Sequence, residues 1–130
     1  MKLSLPLLAK STSASRQFYV DELGLFVQHG EVWDSACRLH SVDSGDIELH
    51  LTTYATEPSK VPMFWLIVPD CNREFSRLRA KTFSSGGRLV PNKIGLVEMF
   101  EYPGGQNFEM EDPAGNRFVI HEDFKALEDE

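Results

Sequence analysis

The sequence predicts an α+β fold made of two modules of similar design, each a strand, a helix and then three or more strands. Apolar residues change from helical to alternating spacing after each predicted helix. The same order of elements recurs after a polar, proline-containing linker at about residues 54–60. Module one covers about residues 1–56 and module two about 61–124, before a short acidic tail. We therefore interpret residues 1–130 as a single domain containing an internal repeat.

Module one begins with a short apolar strand at residues 3–10, followed by a Ser/Thr cluster. Ser13 is predicted to cap a helix that ends at Gly24, since hydroxyl side chains favour helix starts and glycine favours helix ends. After the helix, apolar residues recur at every second position, and turn residues separate three antiparallel strands. These strands are predicted at residues 25–29, 37–41 and 47–51.

Alternation along these strands assigns their side chains to opposite faces of a sheet. Leu39 and Leu49 are predicted to face a helix layer. Four polar side chains fall on the other face, and they are candidates for a binding site. They are Arg38, His40, Glu48 and His50.

Module two repeats this order with an apolar strand at residues 63–68. Asp70 is predicted to cap the second helix, and the run Ser84-Ser85-Gly86-Gly87 is predicted to end it. Four strands are expected after the helix. They are placed at residues 88–90, 95–102, 106–111 and 117–121.

Charge and composition limit the classes of partner. The chain has 20 acidic and 13 basic residues and a formal charge of −7, which opposes binding to nucleic acid or to an anionic membrane. No apolar run approaches the roughly 20 residues of a membrane span, and the apolar N-terminal segment is too short for a signal peptide. Cys37 and Cys71 form no metal-binding pair and lack a neighbouring base. We expect a cytoplasmic protein whose partner is a small molecule.

Two motifs carry a family resemblance. The run Ser15-Arg16-Gln17-Phe18-Tyr19 is followed by Leu23-Gly24, and Asp112-Pro113-Ala114-Gly115-Asn116 precedes the last predicted strand. In this order around a βαβββ repeat, they resemble the vicinal oxygen chelate superfamily, which includes glyoxalase I, bleomycin-resistance proteins and extradiol dioxygenases. The resemblance spans nearly the whole chain. It implies a U-shaped, half-barrel cup and a homodimer.

The resemblance also implies four metal-ligand positions, one in each of four strands. In this sequence they fall on Ser4, Glu48, Phe64 and Val119. Phe64 and Val119 have no lone pair to offer a metal ion, so only Glu48 retains a usual ligand. We therefore expect no cofactor.

A displaced metal site remains an alternative. Glu48, His50 and His121 could hold a divalent metal if the positions were shifted along their strands, because residues two apart share a face. Such a site would support a glyoxalase-like lyase or a dioxygenase. A third alternative is a closed cup with a structural or partner-binding role.

The leading prediction is a metal-free relative of the bleomycin-resistance proteins that binds or sequesters a small aromatic or cationic molecule without catalysis. Glu48 is expected either to hold a cationic group or to pair with Arg38. Alternation predicts that Phe64 lines the cup and that Trp65 packs under a helix. The predicted ligand-binding residues are Arg38, His40, Glu48, His50, Phe64, Phe100, Tyr102, Val119 and His121.

Overall fold

A computed structural model describes residues 1–58 and 60–124, and it confirms the α+β fold with a sheet from each module. The first sheet has the order β1-β4-β3-β2, in which β1 runs parallel to β4 and the other neighbours are antiparallel. Its strands are β1 (Leu3–Leu8), β2 (Phe26–His29), β3 (Ala36–Ser41) and β4 (Ile47–Thr52).

The second sheet has the corresponding order β5-β9-β8-β6, and β7 also pairs with β8. Its first strand again runs parallel to the last strand of the module. The two modules therefore share one design, as the repeat predicts. The strands are β5 (Trp65–Ile67), β6 (Arg88–Leu89), β7 (Phe100–Tyr102), β8 (Gly105–Glu111) and β9 (Arg117–Asp123).

Residues 95–99 of the strand predicted at residues 95–102 follow a turn and form no strand, so this prediction is wrong before residue 100. The Asn92 side-chain oxygen accepts hydrogen bonds from the backbone N–H groups of Ile94 and Leu96, both at 3.0 Å. These local bonds replace the pairing that a strand needs. The predicted acidic tail, which follows residue 124, lies outside the described residues.

The first helix begins at α1 (Thr12–Arg16) and continues as a π-helical segment, Gln17–Glu22. Its cap is Ser11 and not Ser13, because the Ser11 hydroxyl accepts from the Ala14 N–H at 3.2 Å. Ser13 instead lies within the helix. The helix ends before Gly24, which has a φ of +74°.

The second helix, α2 (Cys71–Arg79), begins as predicted but ends at Arg79, several residues before the predicted stop at residues 84–87. The Asp70 carboxylate accepts from the Arg73 N–H at 3.0 Å. Phe75 contacts Phe108 of the second sheet, with ring centroids 5.2 Å apart. A membrane-crossing helix is not found among the described residues, since none combines enough length with enough apolar character.

One apolar core joins both modules. Phe18 of the first helix packs against Phe118 of β9, with ring centroids 6.2 Å apart. Leu39 and Leu49 of the first sheet are fully buried in the same core, which confirms the predicted inner face. The predicted polar side chains of β3 and β4 are therefore left on the outer face of that sheet.

A buried polar network also links the modules. The Tyr19 hydroxyl donates to Asp112 at 2.8 Å, and the Asn116 amide donates to the Leu8 carbonyl at 2.8 Å. The other Asp112 oxygen accepts from the backbone N–H groups of Ala114 and Asn116, both at 2.9 Å. Burial raises the pKa of Asp112, although these hydrogen bonds oppose the increase. The Asp-Pro-Ala-Gly-Asn turn thus anchors the first helix to the second module.

Candidate functional site

A cavity of about 540 Å³ lies between the β1 region and the β5 region. Leu3 and Leu5 line it from β1, and Phe64, Trp65 and Leu66 line it from the second module. Most of the remaining lining is also apolar. Ligand sites typically have volumes of about 300–1,000 Å³ and largely apolar walls, so the cavity suits a small organic molecule.

The predicted placement of Trp65 needs correction, and Phe64 has a core contact in addition to its predicted place in the lining. Phe64 stacks on Phe118 with ring centroids 5.1 Å apart, so it packs against the core as well as lining the cavity. Trp65 is 53% exposed and lies 4.8 Å from His121, centroid to centroid. Trp65 pairs with Val119 across the sheet, and this register directs both side chains to the outer face.

Buried His121 is the centre of an aromatic group on the second sheet. Its Nε2 lies 2.7 Å from Asp123 Oδ1 and 3.5 Å from the Tyr102 hydroxyl oxygen. Its Nδ1 is buried without a hydrogen-bond partner in the described residues. Exposed Phe100 stacks on Tyr102 with ring centroids 5.9 Å apart. His121, Tyr102 and Phe100 are therefore brought together, with Trp65 beside them.

Glu48 is buried and already paired within the first sheet. Ser4 donates to one carboxylate oxygen at 2.7 Å, and Arg38 donates to the other through Nε at 2.8 Å. Desolvation would raise the pKa of Glu48. The hydrogen bonds from Ser4 and Arg38, the Arg38 charge and a hydrogen bond with His40 outweigh it and lower the pKa to about 2. Of the two predicted roles for Glu48, the structure contains the pairing with Arg38.

Two further basic residues join the predicted polar side chains. Lys2 Nζ lies 2.7 Å from His40 Nε2, and the His29 ring stacks on His40 with centroids 4.1 Å apart. Sequence reasoning missed both residues. His29 could have been found by extending the alternation of β3 to its predicted neighbour β2, because His29 pairs directly with Arg38.

The four family metal-ligand positions do not fit a metal centre in this chain. Ser4 and Glu48 are hydrogen-bonded to each other. Phe64 packs in the core, and buried Val119 has no donor atom. A divalent ion would therefore find one carboxylate, already engaged by Ser4 and Arg38, at these four positions.

The displaced site is not assembled either. The contacts of Glu48 all lie in the first sheet and the segment leading into it, whereas His121 contacts Trp65, Tyr102 and Asp123 of the second sheet. Among residues 1–58 and 60–124, no group of three His, Cys, Asp or Glu side chains could hold a metal ion. His50 therefore has no metal-binding partners of the predicted kind in the described chain.

Both cysteines are buried and free. Burial, the largest effect in each case, raises the pKa of Cys37 to about 11 and that of Cys71 to about 12. A thiol must ionise to act as a nucleophile. These environments agree with the prediction that neither cysteine is nucleophilic.

The repeated βαβββ modules with an apolar cavity between them place the chain in a fold class, and a fold class does not by itself determine function. The chain belongs to the Glyoxalase/Bleomycin resistance protein/Dioxygenase superfamily, whose family model matches residues 4–120. No curated protein matches the chain in sequence.

Solved structures share the fold at low sequence identity. TnmS3, an antibiotic binding protein from Streptomyces sp. CB03234, has a TM-score of 0.68 and 17% identity, covering 95% of this chain and 96% of that one. The bleomycin-binding protein from Streptomyces verticillus complexed with copper(II)-bleomycin has a TM-score of 0.60 and 24% identity. This match covers 95% of this chain and 94% of that one. Lactoylglutathione lyase from Agrobacterium tumefaciens has a TM-score of 0.65 and 16% identity, and the match covers 94% of this chain and 92% of that one. At these identities the likeness concerns the fold.

Proposed function

We propose that this protein binds a small aromatic organic molecule in the cavity between its modules. The apolar cavity of about 540 Å³ is the observation that carries the proposal. An apolar ligand would gain free energy by removing its own surface and that of the cavity wall from water. Trp65, exposed at this wall, offers a face for stacking.

An aromatic ligand is favoured over a cationic one. The predicted attraction for a cation depended on Glu48, whose charge is already matched by Arg38. Asp43 at the cavity is a single, exposed carboxylate. The antibiotic-binding and bleomycin-binding structures of the same fold are consistent with capture of an organic molecule, although their ligands are not transferred to this chain.

Trp65 provides the test. Because Trp33 is also exposed, the titration uses a Trp33→Phe background, so that Trp65 is the remaining tryptophan. The probe is neutral 2-naphthol, with cyclohexanol as the non-aromatic comparison. We expect saturable quenching of Trp65 by 2-naphthol, and weaker binding of cyclohexanol. Leu3→Gln should weaken 2-naphthol binding by about tenfold, because it places an amide in the apolar wall.

Leu96→Gln is the matched control, since Leu96 is 49% exposed, close to the 54% of Leu3, but lies outside this cavity. Its affinity for 2-naphthol should equal that of the Trp33→Phe background. Linear, non-saturable quenching, or equal effects of the two leucine variants, would count against a ligand site in this cavity.

We also propose that the protein is a homodimer. Leu3 and Ile67 are exposed apolar residues lining the cavity, and association of two copies would cover such surface. Sedimentation equilibrium should give twice the 14.7 kDa of one chain. A mass of one chain at micromolar concentration would contradict this part of the proposal.

A further inference from the structure

The outer face of the first sheet carries two adjacent rows of side chains. His29 pairs with Arg38 and Arg38 with His50, so these three residues form one row. His40 and Glu48 pair across the same strands and form the next row. Residues that pair across a sheet project to the same side, as do residues two apart in a strand. All five side chains therefore occupy one face.

The charge of this face is opposite to that of the whole protein. Lys2 and Arg38 are positive and lie 3.6 Å and 2.7 Å from the single Glu48 carboxylate. With its histidines neutral, this group carries a net charge of +1, from two cations and one anion, in a chain of formal charge −7.

Glu48 also fixes the geometry of the cations. Arg38 binds one Glu48 oxygen through both Nε and Nη2, at 2.8 and 2.7 Å. The Arg38 side chain nevertheless remains 47% exposed, and that of Lys2 remains 40% exposed. Their positive charge is thus held in place and accessible to a ligand, which lowers the entropy cost of binding.

We propose that this basic face, formed by Lys2, His29, Arg38, His40 and His50 around Glu48, is a binding site for a small oxyanion such as a phosphate or carboxylate group. The remaining donors of Arg38 and Lys2 would contact the anion, and the histidine rings would supply further donors. The site is separate from the proposed cavity. Leu3, Leu5 and Ile47, which line that cavity from the first sheet, lie on the opposite face of their strands.

The histidine ring resonances provide a direct readout, measured by NMR during titration with inorganic phosphate. Sodium chloride at matched ionic strength serves as the comparison, because screening alone also changes exposed charges. The phosphate should shift the signals of His29, His40 and His50 saturably. His121, buried on the second sheet, is the internal control and should not move.

His29 gives a second readout. Its pKa is lowered mainly by nearby His40, with smaller contributions from desolvation and from the Arg38 and Lys2 charges, while Glu48 opposes the change. A bound anion would offset these cations, so phosphate should raise the pKa of His29. A purely structural role for the basic residues would leave this pKa unchanged by phosphate.

Arg38→Gln should weaken phosphate binding at least about tenfold, because it removes a charge-assisted hydrogen bond. Arg88→Gln is the matched control. Arg88 is 48% exposed and also pairs with a strand carboxylate, Glu111, but it lies on the second sheet. Its affinity should equal that of the wild type, and an unchanged His121 signal in both variants would show that the fold is kept.

Comparison of inorganic phosphate with phenyl phosphate then distinguishes a free anion from one carried by an organic molecule. Either result supports the site: tighter binding of inorganic phosphate indicates a free anion, and tighter binding of phenyl phosphate indicates an anion carried by an organic molecule. Histidine shifts that chloride reproduces, or equal losses in Arg38→Gln and Arg88→Gln, would overturn it. Failure of 2-naphthol to bind the cavity leaves these results unaffected, so the two proposals can fail separately.

Discussion

Glu48 is a buried carboxylate whose ionised form is stabilised by its neighbours. Replacing it by Gln removes the charge that Arg38 and Lys2 contact, so Glu48→Gln should lower the free energy of unfolding by about 1 kcal/mol at pH 7. The folded-state pKa of about 2 lies below an unfolded value of roughly 4.3. The stabilisation is therefore fully present above the unfolded pKa and is lost as pH falls through about 4 towards about 2.

Urea unfolding of wild type and variant between pH 7 and pH 2.5 measures this difference. The difference in unfolding free energy between the wild type and Glu48→Gln should decrease as the pH is lowered. Glu57→Gln, at an exposed position, should match the wild type throughout. A gap that stays constant with pH would mean that ionised Glu48 does not stabilise the fold.

Residue-level prediction succeeded where both neighbouring strands could be recognised. Alternation placed Arg38, His40 and Glu48 on one face of the first sheet, and their pairing shows that this is correct. It failed for Trp65, because the short β5 strand gives too few residues to define its faces. Only the pairing of Trp65 with Val119 in β9 fixes that orientation, and a single sequence does not contain this long-range register.

The turn after α2 depends on close packing with the first helix. A Cβ atom at Gly87 would overlap the Phe18 ring, so Gly87→Ala should destabilise the protein by about 1–3 kcal/mol. Thermal or urea unfolding measures this loss. Adding Phe18→Leu should recover part of it, because the smaller side chain relieves the overlap. A double variant whose losses simply add would show that Gly87 acts through another contact.

Most elements could be predicted from caps, turns and periodicity, but two local features could not. The π-helical segment retains the apolar spacing of an ordinary helix, so its Leu23-to-Phe18 hydrogen bond is not visible in the sequence pattern. The turn around Asn92 is rich enough in apolar residues to resemble a strand. Its side-chain hydrogen bonds decided the structure instead.

The molecule as a whole should unfold as one unit, because the apolar core and the Tyr19–Asp112 bond cross between the modules. In the Trp33→Phe background, Trp65 fluorescence and the NMR signals of first-sheet histidines should therefore give the same urea midpoint. Tyr19→Phe should lower the unfolding free energy by about 1–2 kcal/mol, since it leaves buried Asp112 with one donor fewer.

Tyr54→Phe is the matched control for this substitution, because Tyr54 is highly exposed. It should leave the midpoint unchanged. Two separate midpoints in the Trp33→Phe background would indicate that the modules unfold independently.

Pro6 lies in β1, one of the two edge strands of the first sheet. Leu3 and Ala9 donate their backbone N–H groups to the neighbouring β4 side, so the alternation of a parallel strand directs the backbone nitrogen of Pro6 to the open edge. Proline has no N–H to offer an incoming strand. An edge strand with unpaired backbone groups can pair with a strand of another chain and so promote aggregation. Pro6 weakens such pairing at the open edge of β1, while the hydrogen bonds between β1 and β4 remain intact.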